Sequence, residues 1–220
     1  MYRYILGFQI VCILVSGGCL YLAITDDKLR TKSYIMSATA VFSGIFLTEI
    51  SYGLYLQATA MAGLQMAEKF CLLGKLLTAV SFFVTCVSLS DRDSDMVKMA
   101  AGIFGLTAAV FFFSESLSRL LYESQNFLQN QYFYYIEGKL TVLGELFRFC
   151  IRCLPLFGFL WLIFRKKEKS LREKLFLSAT VLFWAVSYLS RDMTLLRHYD
   201  ADMPLCAAFA CCLCVLPDRT

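Results

Sequence analysis

Long apolar runs alternate with short polar breaks along this chain, and neither the two-residue alternation of strands nor a two-faced helical period dominates. Seven runs approach the ~20 residues that a helix needs to cross a hydrocarbon core. They cover residues 4–24, 33–56, 67–89, 96–113, 143–164, 175–190 and 203–216, the last of them short. The pattern predicts an all-α, polytopic membrane bundle of seven helices, forming one domain over residues 1–220. The first run is too long for the apolar segment of a cleaved signal, lacks a small-residue cleavage site and is followed by basic residues, so it reads as a span. The one long connection, residues 114–142, is rich in aromatic residues: Tyr122, Phe127, Tyr132, Phe133, Tyr134 and Tyr135. Its QYFYYIEGKLTV segment suits a short hairpin turning at Glu137-Gly138-Lys139. An interfacial aromatic belt and a lid over a ligand are both open readings of it.

Composition points the same way. Hydrophobic residues make up 59% of the 220, charged residues 17%, and the mean hydropathy is +0.62. A soluble domain carries about 25% charged residues. The net charge of +4 matters less than its placement. Twelve basic residues fall in connections after odd-numbered spans or at the C-terminus: Lys28, Arg30, Lys32, Arg92, Lys98, Arg165, Lys166, Lys167, Lys169, Arg172, Lys174 and Arg219. Six fall on the other side: Arg3, Lys69, Arg119, Lys139, Arg191 and Arg197. Basic connections stay in the cytoplasm, so the N-terminus is expected outside and the C-terminus inside a multi-pass protein of the cell membrane. RKKEKSLREK, residues 165–174, reads as a stop-transfer loop, with anionic-lipid contact as the alternative.

Most candidate chemistry falls away on inspection. The chain has ten cysteines, including Cys150-Ile-Arg-Cys153, but all lie within spans (Cys12, Cys19, Cys71, Cys86, Cys150, Cys153, Cys206, Cys211, Cys212 and Cys214). A membrane thiol oxidoreductase would need a second pair in an outer loop, so the thiols read as small buried hydrophobes. The only histidine, His198, has no His or Cys partner at metal-ligand spacing. Residues 91–95, DRDSD, resemble the start of a calcium loop but lack its glycine and distal glutamate, and read as a solvated turn. No glycine-rich phosphate loop and no serine, histidine and acid arrangement is present. No catalytic residue, metal or cofactor is expected, the chain is not expected to be an enzyme, and nucleic acid is not among its partners.

The intramembrane charges remain. Glu49, Lys75, Arg148 and Arg152 lie on spans two, three and five. At 1.5 Å per residue their depths below the outer end are roughly 10, 12, 8 and 14 Å. Glu145, with Glu68, lies nearer the surface. On a helix Glu145, Arg148 and Arg152 share one face. Each charge facing lipid would cost several kcal/mol, so the set should face the bundle interior or a wet cavity. Two readings stay open. Glu49 and one cation lock the helices together while an arginine reaches outward. Alternatively Glu49, Lys75, Arg148, Arg152 and Glu145 line a pocket for an anionic small molecule, since a guanidinium suits a carboxylate or phosphate.

Three stretches carry a family likeness. AEKFCLLGKLL, residues 67–77, offers Ala67, Glu68, Lys69 and Gly74 at the head of span three. YFYYIEGKLTVLG, residues 132–144, ends in a Lys/Gly-type turn before span five. HYDADMPL, residues 198–205, has Tyr199 and Asp200 followed by Pro204. In these the chain resembles the seven-helix N-terminal sensor region of bacterial membrane histidine kinases and related diguanylate cyclases. The resemblance implies a two-component-type signal transduction module that senses something outside or within the membrane and passes a helix movement to a cytoplasmic kinase or cyclase. No phosphoacceptor His-Glu/Asp, ATP-binding glycine box or GGDEF motif follows, so the output domain is expected to be missing from this chain, with a fragment or an early stop preferred to a separate enzyme chain. Expected partners are the lipid bilayer, an anionic ligand, a second copy in a homodimer and that output domain. A small transporter or its substrate-binding subunit is the rival class, although paired broken helices are not evident, Pro155 being the only mid-span proline. The thiol oxidoreductase is the second alternative.

The basic bias generates a topology test. A Lys169→Cys substitution in a cysteine-free chain should stay unreactive toward a membrane-impermeant thiol reagent in intact cells. Labelling at that position would reverse the topology.

Overall fold

The computed structural model describes residues 2–25, 35–90, 95–114, 120, 122–129 and 134–165. These are mostly helical, with five long helices and one two-stranded addition: α1 (Tyr2–Thr25), α2 (Ile35–Gln57), α3 (Met61–Ser90), α4 (Asp95–Phe113), β1 (Tyr122–Gln129), β2 (Tyr134–Leu140) and α5 (Val142–Arg165). They coincide in order with the first five expected spans. The sixth and seventh spans, the basic connection past Arg165 and His198 lie outside the described residues. Among the described residues three helices are long and apolar enough to cross a membrane, over Leu6–Thr25, Met36–Gln57 and Met61–Ser88.

α3 is the hub. It packs against α2 on one side and α4 and α5 on the other, while α1 reaches the bundle through α2. The α2–α3 contact is the tightest. A Cβ on Gly44 would come 2.7 Å from the Thr78 nitrogen and 2.8 Å from the Gly74 oxygen. A Cβ on Gly74 would come 2.7 Å from the Gly44 oxygen and 2.8 Å from the Thr48 nitrogen. Each helix therefore offers the same Gly-x-x-x-Thr set to the other, in antiparallel register. Only glycine lets the backbones approach this closely, so that Cα–H groups face carbonyls across the seam. Thr48 and Thr78 donate their hydroxyls to Gly44 and Gly74 carbonyls at 2.9 Å, which satisfies the threonines within their own helices.

On the far side of α3, Leu76 and Ala108 form a small apolar centre with Leu72, Val80, Phe104, Ala109, Phe147 and Ile151. Phe104 and Phe147 meet at 6.0 Å. Lower down, Gly158 lets α5 sit against Phe83 and Cys86, where a Cβ would lie 3.2 Å from the Phe83 Cα. Pro155 is inside α5 and leaves the Ile151 carbonyl without its usual helical donor.

The outward surface is apolar. Leu14 is 69% exposed and Leu106 73% exposed, and Val11, Leu22, Ile103, Phe149 and Phe157 also face outward. Buried inside are Gln9, Ser16, Thr48, Glu49, Ser51, Thr78, Ser81 and Thr85. In water this distribution would be costly, whereas against lipid tails the apolar surface costs nothing and a buried polar pair such as Gln9–Glu49 can hold helices together.

The hairpin pairs antiparallel with a bulge between Tyr122 and Ser124. Its turn is not at Glu137-Gly138-Lys139. Those residues lie within β2, opposite Asn126, Gln125 and Ser124, and the chain reverses between Gln129 and Tyr134. Gly138 serves cross-strand packing instead: a Cβ there would come 3.2 Å from the Tyr122 ring. The uncovered glycine gives that ring its place. Thr141 then starts α5 as an N-cap, its hydroxyl accepting from the Gly144 N–H at 3.1 Å and donating to the Leu120 carbonyl at 2.6 Å.

Gly74→Leu should lower bundle stability by about 2 kcal/mol or more, because the added side chain meets backbone on both sides. Gly102, with nothing within 4 Å of an added Cβ, is the control. Gly102→Ala should be neutral or stabilising by up to about 1 kcal/mol. Unfolding in lipid nanodiscs reads both; equal effects would remove the seam from its role.

Candidate functional site

The α2–α3 seam sets the level of the membrane charges. Gly44 faces Thr78 and Gly74 faces Thr48, so Glu49 stands level with Leu73, two residues from Lys75. That is about 3 Å along the axis. Glu49 follows Thr48 and Lys75 follows Gly74, each one helical step from the reciprocal contact. In an antiparallel pair related by a local two-fold, those steps lead to the same face. Lys75 is half-buried there and Glu49 is 6% exposed.

Glu49 also meets α1. The Gln9 amide donates to the Glu49 carboxylate at 2.6 Å and to the Glu49 carbonyl at 2.8 Å. Buried Ser16, Ser51 and Thr85 donate to carbonyls of their own helices. The Gln9–Glu49 pair instead bridges two helices. Gly53 supports the approach, since an added Cβ would be 3.3 Å from Ile13 and 3.8 Å from Gln9.

α5 comes to the same level from the other side of α3. It runs parallel to α3, with Gly158 against Phe83 and Cys86. Ten residues earlier on each helix, Arg148 is level with residues 74–75, and Arg152 is one turn deeper, about 6 Å. Lys75 and Cys86, eleven residues apart, lie on one stripe of α3, so Lys75 stands on the side that α5 covers. The side chains of Arg148 and Arg152 lie outside the described residues. Glu145 is exposed in the first turn of α5, where an acid suits the helix N-terminus, and its N–H donates to the Thr141 carbonyl at 2.9 Å. It sits one turn above Arg148, at the rim of this level.

Above the charges the hairpin closes onto α3. The Tyr122 hydroxyl donates to Glu68 at 3.2 Å, and the Gln65 amide donates to Gln125 at 3.3 Å. Lys139 pairs with Glu123 at 2.7 Å on the exposed strand surface.

Other candidate chemistry takes no shape. Cys150 and Cys153 are free thiols on α5, the first exposed and the second partly buried. Among the described residues no group of three or more His, Cys, Asp or Glu side chains comes together to hold a metal. Asp95 pairs with Lys98 at 3.1 Å in the first turn of α4. Two features escaped the sequence reading. Gln9 was detectable as a lone amide inside the apolar LGFQIVC. The seam was detectable as Gly-x-x-x-Thr on two successive spans.

No family model matches the chain, and no curated protein matches it.

The bridge can be measured. Gln9→Leu removes one donor to a buried carboxylate and should cost about 1–3 kcal/mol. Combined with Glu49→Leu it should cost less than the sum of the single changes by about 0.5–3 kcal/mol. Strict additivity in unfolding experiments would mean that the two side chains do not communicate.

Proposed function

We propose that this protein is a multi-pass membrane sensor module. It binds an anionic small molecule in the outer half of a seven-helix bundle and signals by helix movement. The N-terminus is outside, the C-terminus is cytoplasmic, and the output is a kinase or cyclase domain on the cytoplasmic side. The ligand meets Lys75, Arg148 and Arg152, with Glu49 and Glu145 as the acidic counterweights. This chain itself catalyses nothing.

The observation that carries the reading is the shared level of Glu49, Lys75 and Arg148 on three different helices, fixed by the close contacts at Gly44, Gly74 and Gly158. Lys75, Arg148 and Arg152 against Glu49 and Glu145 give this level a net positive charge, and an anion with two oxygens is its natural complement. The likeness of residues 67–77, 132–144 and 198–205 to kinase and cyclase sensor regions supplies the direction of signalling.

Acetate and inorganic phosphate serve as probes. With the chain in nanodiscs, a probe at a hundredfold its dissociation constant should stabilise the bundle by about 2.7 kcal/mol. Arg148→Ala should abolish that gain and leave the empty bundle folded. If Arg148→Ala instead unfolds the empty bundle, and adding Glu49→Gln restores it, the cluster is a structural lock and the receptor reading fails.

A further inference from the structure

We propose that the β1–β2 hairpin is a bilayer-docking element. Its outer half, with Phe127, Leu128, Tyr134 and Tyr135, rests in the headgroup layer of the outer leaflet. This rests on the membrane reading above and adds a contact surface to it.

Depth comes from the register. The apolar span of α2 ends at Gln57, and that of α3 begins at Met61. The antiparallel seam that sets Gly44 against Thr78 carries Gln57 level with Gln65 of α3. Gln65 is bonded to Gln125 in the middle of β1, while Tyr122, three residues earlier, is bonded to Glu68. β1 therefore leaves the edge of the hydrocarbon and runs outward. Phe127, two residues past Gln125, stands at most about 7 Å beyond the Gln57 level at ~3.4 Å per residue, while Met61 lies about 6 Å beyond Gln65, so Phe127 falls at or just outside the edge that the two helices bracket. A headgroup layer is roughly 5–8 Å thick on each side.

Chemistry agrees with the depth. The Glu123–Lys139 pair lies on the inner half of the hairpin. Beyond Glu137 and its partner Asn126, the described residues of both strands carry no charge. Phe127 stacks on Tyr134 at 5.1 Å with the rings 6° from parallel, and Phe127 and Leu128 are exposed. A two-stranded sheet has two open edges, which hydrocarbon would penalise and hydrated headgroups satisfy. Exposed aromatic rings prefer the same layer. Only the interface meets both demands.

Tryptophan reporters test this. In a chain carrying Trp161→Phe and Trp184→Phe, Phe127→Trp reports the hairpin and Leu14→Trp reports the middle of α1. In bilayers Phe127→Trp should be quenched about twofold more by lipids brominated near the glycerol end than by lipids brominated near the chain terminus, and Leu14→Trp the reverse. Quenching of Phe127→Trp by aqueous acrylamide but by neither lipid, with Leu14→Trp still lipid-quenched, overturns the proposal and leaves the membrane reading intact. A Leu14→Trp reporter untouched by both lipids would instead sink the membrane reading and the proposal with it. Should the Trp-free chain fail to fold, a benzophenone amino acid in place of Phe127 in the otherwise native chain gives the second readout. Lipid adducts support docking; adducts confined to protein, as for a ligand lid or a second copy, overturn it.

Discussion

The approach of Gly44 to Gly74 is the contact on which the rest depends. Two helices whose added Cβ atoms would meet backbone at under 3 Å cannot slide. A shift by one turn would put Thr48 or Thr78 where only glycine fits. With α2 and α3 locked, the levels of Glu49 and Lys75 follow, and the hairpin is tied to α3 at Gln65 and Glu68. The energetic source is dispersion between close backbones rather than hydrophobic burial, as expected where the surrounding solvent is itself apolar.

That solvent also accounts for how polar groups are handled. Serines and threonines in the bundle turn back onto their own carbonyls and need no neighbour. A glutamate cannot do that, so Glu49 draws Gln9 across from α1. The pair fastens α1, whose remaining surface is largely apolar and outward-facing, to α2.

Helices were legible because composition fixes them: runs such as residues 96–113 are too apolar to be anything else. Boundaries were less so. The third helix begins at Met61, six residues before the expected Ala67, because MAGLQM is rich in helix formers and extends the apolar run. The hairpin was expected within residues 114–142, but its turn was misplaced. Gly138 looks like turn chemistry in the sequence but makes room for the Tyr122 ring, a cross-strand reason that is invisible before the register is known. At the candidate site Glu49, Lys75, Arg148 and Arg152 stood out as charges in apolar runs. Gln9 did not, because an uncharged amide is a weaker signal, and its partner is forty positions away.

The central claim is that the charges in the outer half converge on an anion. Dipolar recoupling between ¹³C-carboxyl acetate and ¹⁵N-labelled arginine and lysine side chains, in the chain reconstituted in bilayers, measures that contact directly. The account predicts short-range dephasing of arginine guanidinium signals by acetate, lost with Arg148→Ala. Undisturbed guanidinium signals at saturating acetate, in a bundle that still shows the Gln9–Glu49 contact, would contradict it.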